Sequence, residues 1–145
     1  LNTALNITNS ALSVKSDDES LSTLDVAEID LFDGSTVILK AGAAPSFYTA
    51  SGRIREIEIP STPLGILPKV SFSRYTLKLR GGDTLVMVSD GVLGCGNIWL
   101  KDELKTFGGG PDATEFSENV LECAQRRCGK KFDDMTVITA VAEEV

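Results

Sequence analysis

Leu85-Val86-Met87-Val88-Ser89-Asp90-Gly91 carries four apolar residues in a row into one carboxylate and a glycine. A short, wholly apolar run of this kind reads as a strand buried on both faces, and the acid at its end as a side chain held at the rim of a sheet. A second stretch has the reverse build: Asp133-Asp134 stands directly before the apolar, β-branched run Met135 to Val141. If the two strands are neighbours, the acidic positions meet at one rim. That is the outline of a magnesium or manganese site.

The rest of the composition narrows the chemistry. With 145 residues, 42% hydrophobic and 24% charged, the chain suits one domain with a core of its own and is too apolar for wholesale disorder. It shows no run of 18 apolar residues and no secretory leader, so a soluble segment is expected. Cys95, Cys123 and Cys128 are an odd number without metal-motif spacing, which fits thiols in a reducing cytosol better than a disulfide framework. The sequence holds no histidine. Ser-His-Asp and Cys-His mechanisms, the usual zinc sites and a histidine general base are therefore excluded within it, and carboxylates must do any acid, base or metal work. A net charge of -7 disfavours nucleic acid and anionic membrane as partners. The local basic cluster Arg126, Arg127, Lys130 and Lys131 is read as cations favouring a helix C-terminus.

Outward from the central strand, the elements alternate in character. Leu1, Ala4, Leu5, Ala11 and Leu12 share a helical stripe, and residues 13–20 read as a loop. Leu24 to Phe32 and Thr36 to Lys40 flank Asp33-Gly34, a hairpin signal. Gly42 to Ser46 breaks the chain before Phe47 to Ala50 and Ile54 to Ile59, a second pair turning at Ser51-Gly52. After a stiff connection with Pro60, Pro63, Gly65 and Pro68, the alternating run Val70 to Leu79 turns at Gly81-Gly82-Asp83 into the central strand. Asn97 is placed to cap a helix with Ile98, Trp99, Leu100 and Leu104, ended by Gly108 to Gly110. Asp112 and Glu115 have capping-box spacing for a further helix with Phe116, Val120, Leu121 and Ala124 on its apolar face, stopped at Gly129, in which Cys123 and Cys128 pack. The predicted class is α+β, a mostly antiparallel sheet flanked by helices.

These residues carry a resemblance. Ser89-Asp90-Gly91-Val92 and Asp133-Asp134-Met135-Thr136-Val137 resemble the last two metal-binding motifs of the metal-dependent, type 2C protein serine/threonine phosphatases. Thr23-Leu24-Asp25 through Ile29-Asp30-Leu31, Gly42-Ala43-Ala44-Pro45-Ser46-Phe47 and Pro63-Leu64-Gly65-Ile66 are similar to the stage II sporulation protein E branch of that class. The resemblance implies a type 2C β-sandwich flanked by helices, of which this chain is part, with two Mn2+ or Mg2+ ions. It implies Asp90 and Asp133 as metal ligands and catalytic residues, Asp134 as a hydrogen-bonding neighbour or alternative ligand, and Gly91 as the turn at the site. The implied reaction is hydrolysis of phosphoserine on a protein by metal-activated water, and the implied substrate is a phosphorylated anti-anti-sigma protein in sporulation control. A cytoplasmic location is implied, with membrane anchoring of the parent protein elsewhere and no membrane contact by this segment.

One departure tempers this. The earlier glycine-rich Asp-Gly motif of the type 2C class, whose aspartate bridges the metals, has no match, and Asp33-Gly34 lies between strand-like runs. Residues 1–145 thus read as the C-terminal portion of one such domain, lacking the N-terminal metal motif and inactive alone, with uncovered edges that favour a homodimer. The competing expectation is a non-catalytic phosphatase-like interaction module that works through the two helices between the acidic motifs.

Overall fold

The computed structural model describes residues 2–14, 21–68, 70, 72–108, 110, 112–128 and 133–143. The chain divides into two compact units. The first takes in Leu1–Ile29, Thr36–Ala43 and Ile59–Leu77, and the second Asp30–Ser35, Ala44–Glu58 and Lys78–Val145.

In the first unit, helix α1 (Asn2–Val14) follows the expected stripe and buries Leu5 and Asn9. It runs through residues 13 and 14, which the sequence reading gave to a loop; the remainder of that loop, 15–20, lies outside the described residues. Asn9 explains its own burial. Its amide donates to the Leu67 carbonyl at 2.9 Å and its carbonyl oxygen accepts from the Gly65 N–H at 3.0 Å. Strands β1 (Leu24–Ile29) and β2 (Ser35–Ala41) form the antiparallel hairpin, and β5 (Arg74–Lys78) completes a three-stranded sheet in the order β1-β2-β5. At the hairpin tip Gly34 has φ +74, and the Asp33 carboxylate accepts from the Ser35 N–H and hydroxyl, both at 2.8 Å. Those bonds, the backbone one first, hold the Asp33 carboxyl below its usual range. Asp33-Gly34 is the turn the sequence predicted.

The hairpin register sets Asp25 opposite Lys40. Lys40 is 1% exposed, and its ammonium donates to the Asp25 carboxylate. Burial pushes the Lys40 pKa down, against the hydrogen bond and charge of Asp25, which push it up.

The second unit is built on a four-stranded antiparallel sheet, β4-β3-β6-β7, of β3 (Ser46–Ala50), β4 (Arg53–Ile57), β6 (Thr84–Val88) and β7 (Val137–Val141). The β6 strand is central and all five of its residues are buried, as its unbroken apolar run requires. The predicted strand Val70 to Leu79 is shorter, and the glycine turn after it does not make a hairpin: β5 and β6 belong to different sheets. Asp83 anchors this switch. Its carboxylate accepts from the Arg80 N–H at 3.0 Å and from the Tyr48 hydroxyl at 2.8 Å, and burial, then Asp83, raises the Tyr48 pKa to about 12.

After β6 come the short helix α2 (Asp90–Leu93), then α3 (Ile98–Phe107) and α4 (Ala113–Cys128). The apolar faces of α3 and α4 supply Trp99, Leu100, Leu104, Phe116, Val120 and Ala124 to one core with Phe47, Val86, Val88 and Val92. Each Val, Leu or Phe side chain among them contributes about 1.5–3 kcal/mol by leaving water. Gly108 closes α3 at φ +60, its N–H donating to the Leu104 carbonyl at 3.2 Å, and Asp112 caps α4 by accepting from the Glu115 N–H at 2.8 Å. Asn97 stands at the N-cap of α3 without capping it. Its amide donates at 2.6 Å to Glu56, which also pairs with Lys101. Gly129, Lys130 and Lys131 lie outside the described residues.

The cysteines correct the expectation of three thiols. Cys95 and Cys128 are joined in a disulfide with their Cα atoms 5.6 Å apart, and Cys123 is free. Spacing could not show this, because the partners are 33 residues apart and meet only through the fold. No described helix is long and apolar enough to cross a membrane.

Candidate metal centre

The two acidic motifs meet because β6 and β7 are antiparallel neighbours, with Val88 opposite Val137. The end of one strand thus lies beside the start of the other. Beyond the ladder, pairing continues through Ser89, whose N–H donates to the Thr136 carbonyl at 3.0 Å. The Ser89 hydroxyl donates to the Asp134 carbonyl at 3.0 Å and accepts from the Thr136 N–H at 2.9 Å. Ser89 occupies the N-cap of α2 yet makes no cap bond with its side chain. Its hydroxyl is committed to the facing motif instead. Sequence reading assigned Ser89 no role, although a serine just before the acid was a usable signal.

Asp90 opens α2 and points to solvent, while Gly91 and Val92 behind it are buried. Val92 is fully enclosed in the core, so the helix is pinned from inside and presents its acid outward. One Asp90 carboxylate oxygen accepts from the Gly91 N–H at 3.0 Å, and one Asp133 oxygen accepts from the Asp134 N–H at 2.9 Å. The carboxylates of Asp90, Asp133 and Asp134 are all exposed.

Gly91 does more than turn the chain. A Cβ on it would sit 2.5 Å from the Asp134 carbonyl oxygen and 3.1 Å from that of Asp133. The glycine is needed for close approach to the second motif, at a φ that other residues share. Gly91→Ala gains about 1 kcal/mol of helix propensity, but the backbone overlap costs about 1–3 kcal/mol and the overlap wins. The variant should unfold at lower urea concentration and bind Mn2+ more weakly than the parent in calorimetric titration; unchanged values for both would separate Gly91 from the site.

Carboxylate oxygens on an exposed rim suit a hard divalent cation in donor type. In number they are a partial set, since among the described residues no three His, Cys, Asp or Glu side chains gather at one point. A cleft of about 450 Å³ lined by Tyr48, Lys78, Arg80, Gly82 and Asp83 lies by the Thr84 end of β6, away from Asp90.

A family model described as stage II sporulation protein E matches residues 1–142. The stage II sporulation protein E of Bacillus subtilis (strain 168) is 33% identical over 142 residues, covering 93% of this chain and 17% of that protein. The chain therefore spans about a sixth of that relative. Among solved structures, the phosphatase domain of the cell fate determinant SpoIIE from Bacillus subtilis has a TM-score of 0.74 at 32% identity, covering 100% of this chain and 66% of that one. The catalytic domain of the serine threonine protein phosphatase PstP in complex with 2 manganese ions has a TM-score of 0.79 at 17% identity, covering 98% of this chain and 70% of that one. At that identity the likeness is one of fold: antiparallel sheets flanked by helices, as the α+β reading expected.

Proposed function

The chain belongs to the stage II sporulation protein E family, and on that premise we propose that it supplies the later metal motifs of a protein serine/threonine phosphatase domain, with Asp90 and Asp133 as metal ligands. The observation that carries this reading is the junction at Ser89, which joins the two acidic motifs at one rim. Support for manganese or magnesium comes from the oxygen-only donor set and from the two manganese ions of the PstP relative. When bound, such ions activate water and offset negative charge on the phosphoryl group.

The chain's own residues bind and orient. Asp90 and Asp133 offer carboxylate oxygens on adjacent backbone segments, fixed by Val92 behind and Ser89 between. Asp134 acts through hydrogen bonds beside Asp133. Gly91 permits the approach. Direct attack by water, without a phosphoenzyme, is the route that the type 2C resemblance implies. Because the earlier glycine-rich Asp-Gly motif of the class has no match in residues 1–145, we assign a further carboxylate ligand to the protein outside this segment, and little or no turnover to residues 1–145 alone. The substrate assigned by family is phosphoserine on an anti-anti-sigma protein, met in the cytoplasm.

A second reading has one observation in its favour. The described residues hold no three-sided acidic cluster, as expected of a phosphatase-like interaction module that works through α3 and α4. Phosphate release from a phosphoserine protein by the full-length protein decides between them. Manganese-dependent release supports the phosphatase; none at any manganese concentration supports the module.

A further inference from the structure

We propose that Cys95 and Cys128 are a reversible redox clip on the metal-site rim, a reading that rests on the function proposed above. Cys95 follows α2, five residues beyond Asp90, and Cys128 ends α4, five residues before Asp133. Their disulfide therefore ties the segment leaving one acidic motif to the segment entering the other. The junction at Ser89 holds the motifs together from the strand side. The clip links Cys95 to the end of α4 at Cys128.

Three features of the loop and of the α4 terminus support the pairing. A Cβ at Gly94, next to Cys95, would lie 3.9 Å from the Cys128 sulfur, so the end of α4 is packed on this loop. Gly96 fixes the loop beyond, with φ +85 and its N–H donating to the Leu93 carbonyl at 2.8 Å. Arg127, the neighbour of Cys128, stacks its guanidinium 5.5 Å from the centre of the Trp99 ring, holding the α4 terminus against α3. Cys123 is engaged elsewhere, its sulfur 3.8 Å from both the Glu103 carboxylate and the Arg126 guanidinium. That leaves Cys95 and Cys128 as the pair.

Cys95 is exposed and Cys128 half-buried, which sets the order of exchange. The Cys95 thiolate attacks a low-molecular-weight disulfide such as oxidised glutathione, forming a mixed disulfide and releasing one thiol. The Cys128 thiolate then attacks the Cys95 sulfur, releasing the second. Two protein thiols are oxidised, one small disulfide is reduced to two thiols, and the two protons pass to the departing thiolates. Reduction by excess glutathione runs the same steps backwards. The closed clip restricts the rim and favours metal binding, and the open one loosens it.

The test uses the full-length protein equilibrated in oxidised or reduced glutathione, alkylated and digested with trypsin. Cleavage releases Cys95 in residues 81–101, Cys123 in 106–126 and Cys128 in 128–130. Expected in the oxidised sample are peptide 81–101 linked to 128–130, alkylated Cys123, and amide exchange at residues 89–96 slowed roughly tenfold relative to the reduced sample. Mn2+ titration should show tighter binding when oxidised. Cys95→Ser should remove both differences. Equal alkylation of all three cysteines after oxidation, a link through Cys123, or unchanged exchange at 89–96 despite the link would overturn the clip. Absence of Mn2+ binding in both states would overturn the metal reading alone, since the linked peptides and exchange rates stand without it.

Discussion

Asp90→Asn in the full-length protein should reduce manganese-dependent phosphate release by well over ~100-fold, because loss of a hydrogen-bonding partner outside the ligand shell already costs about 10–100-fold. The substitution keeps the shape of the side chain and its bond from the Gly91 N–H, and the residue is exposed, so stability should change by less than about 0.5 kcal/mol. Weakened Mn2+ binding together with an unchanged unfolding midpoint is therefore the signature of a ligand. Asp133→Asn should behave alike. Asp134→Asn should lose less, its carboxylate being assigned to hydrogen bonding. Wild-type turnover in the Asp90 variant would remove this residue from the mechanism.

The largest expected change in stability lies elsewhere, at the ion pair across the β1–β2 hairpin. Asp25→Asn takes the Asp25 carboxylate away from the Lys40 ammonium, whose side chain is 0% exposed. Breaking a buried pair from one side costs about 3–5 kcal/mol, a large share of the roughly 5–15 kcal/mol that holds a domain together. The loss is read as a lower urea midpoint of the variant at pH 7.

The pH dependence has a definite sign. Lys40 has its pKa lowered from 10.5, first by burial. Between its folded value and 10.5 the unfolded chain binds more protons, so the contribution of this group to stability rises with pH across that window. Asp25→Asn removes the two causes that hold the Lys40 pKa up, which widens the window downward. Below pH 10.5, urea midpoints should therefore begin to climb at a lower pH in the variant than in the parent. A climb that begins at the same pH in both would show that Asp25 does not govern the proton on Lys40.

Much of this was legible before any coordinates. The apolar run of β6, the Asp33-Gly34 turn and the glycine stop of α3 are local signals, and each produced the element it named. The pair Asp25 and Lys40 was recoverable too, because a hairpin turning near Asp33 sets those positions across from one another. Sheet membership was not legible: the same alternating pattern and the same glycine turn serve a hairpin or a switch between sheets, and tertiary packing decides. Asn97 failed as a cap because its backbone is already in the αR region, at φ -113 and ψ -3, and Glu56, distant in sequence, holds its side chain. The Cys95–Cys128 link depends on where two helices end, which no spacing rule encodes.

The strand order of the second sheet bears on how the protein is made. Residues 84–88 find their β7 partners only at residues 137–141, so a chain emerging from the ribosome displays the central strand with one side open while α2, α3 and α4 are synthesised. Until the closing strand arrives, that apolar ribbon is a docking edge for another nascent chain or for a chaperone. The same delay keeps the acidic rim unassembled through most of translation of this segment, so capture of metal is expected to be among its last events.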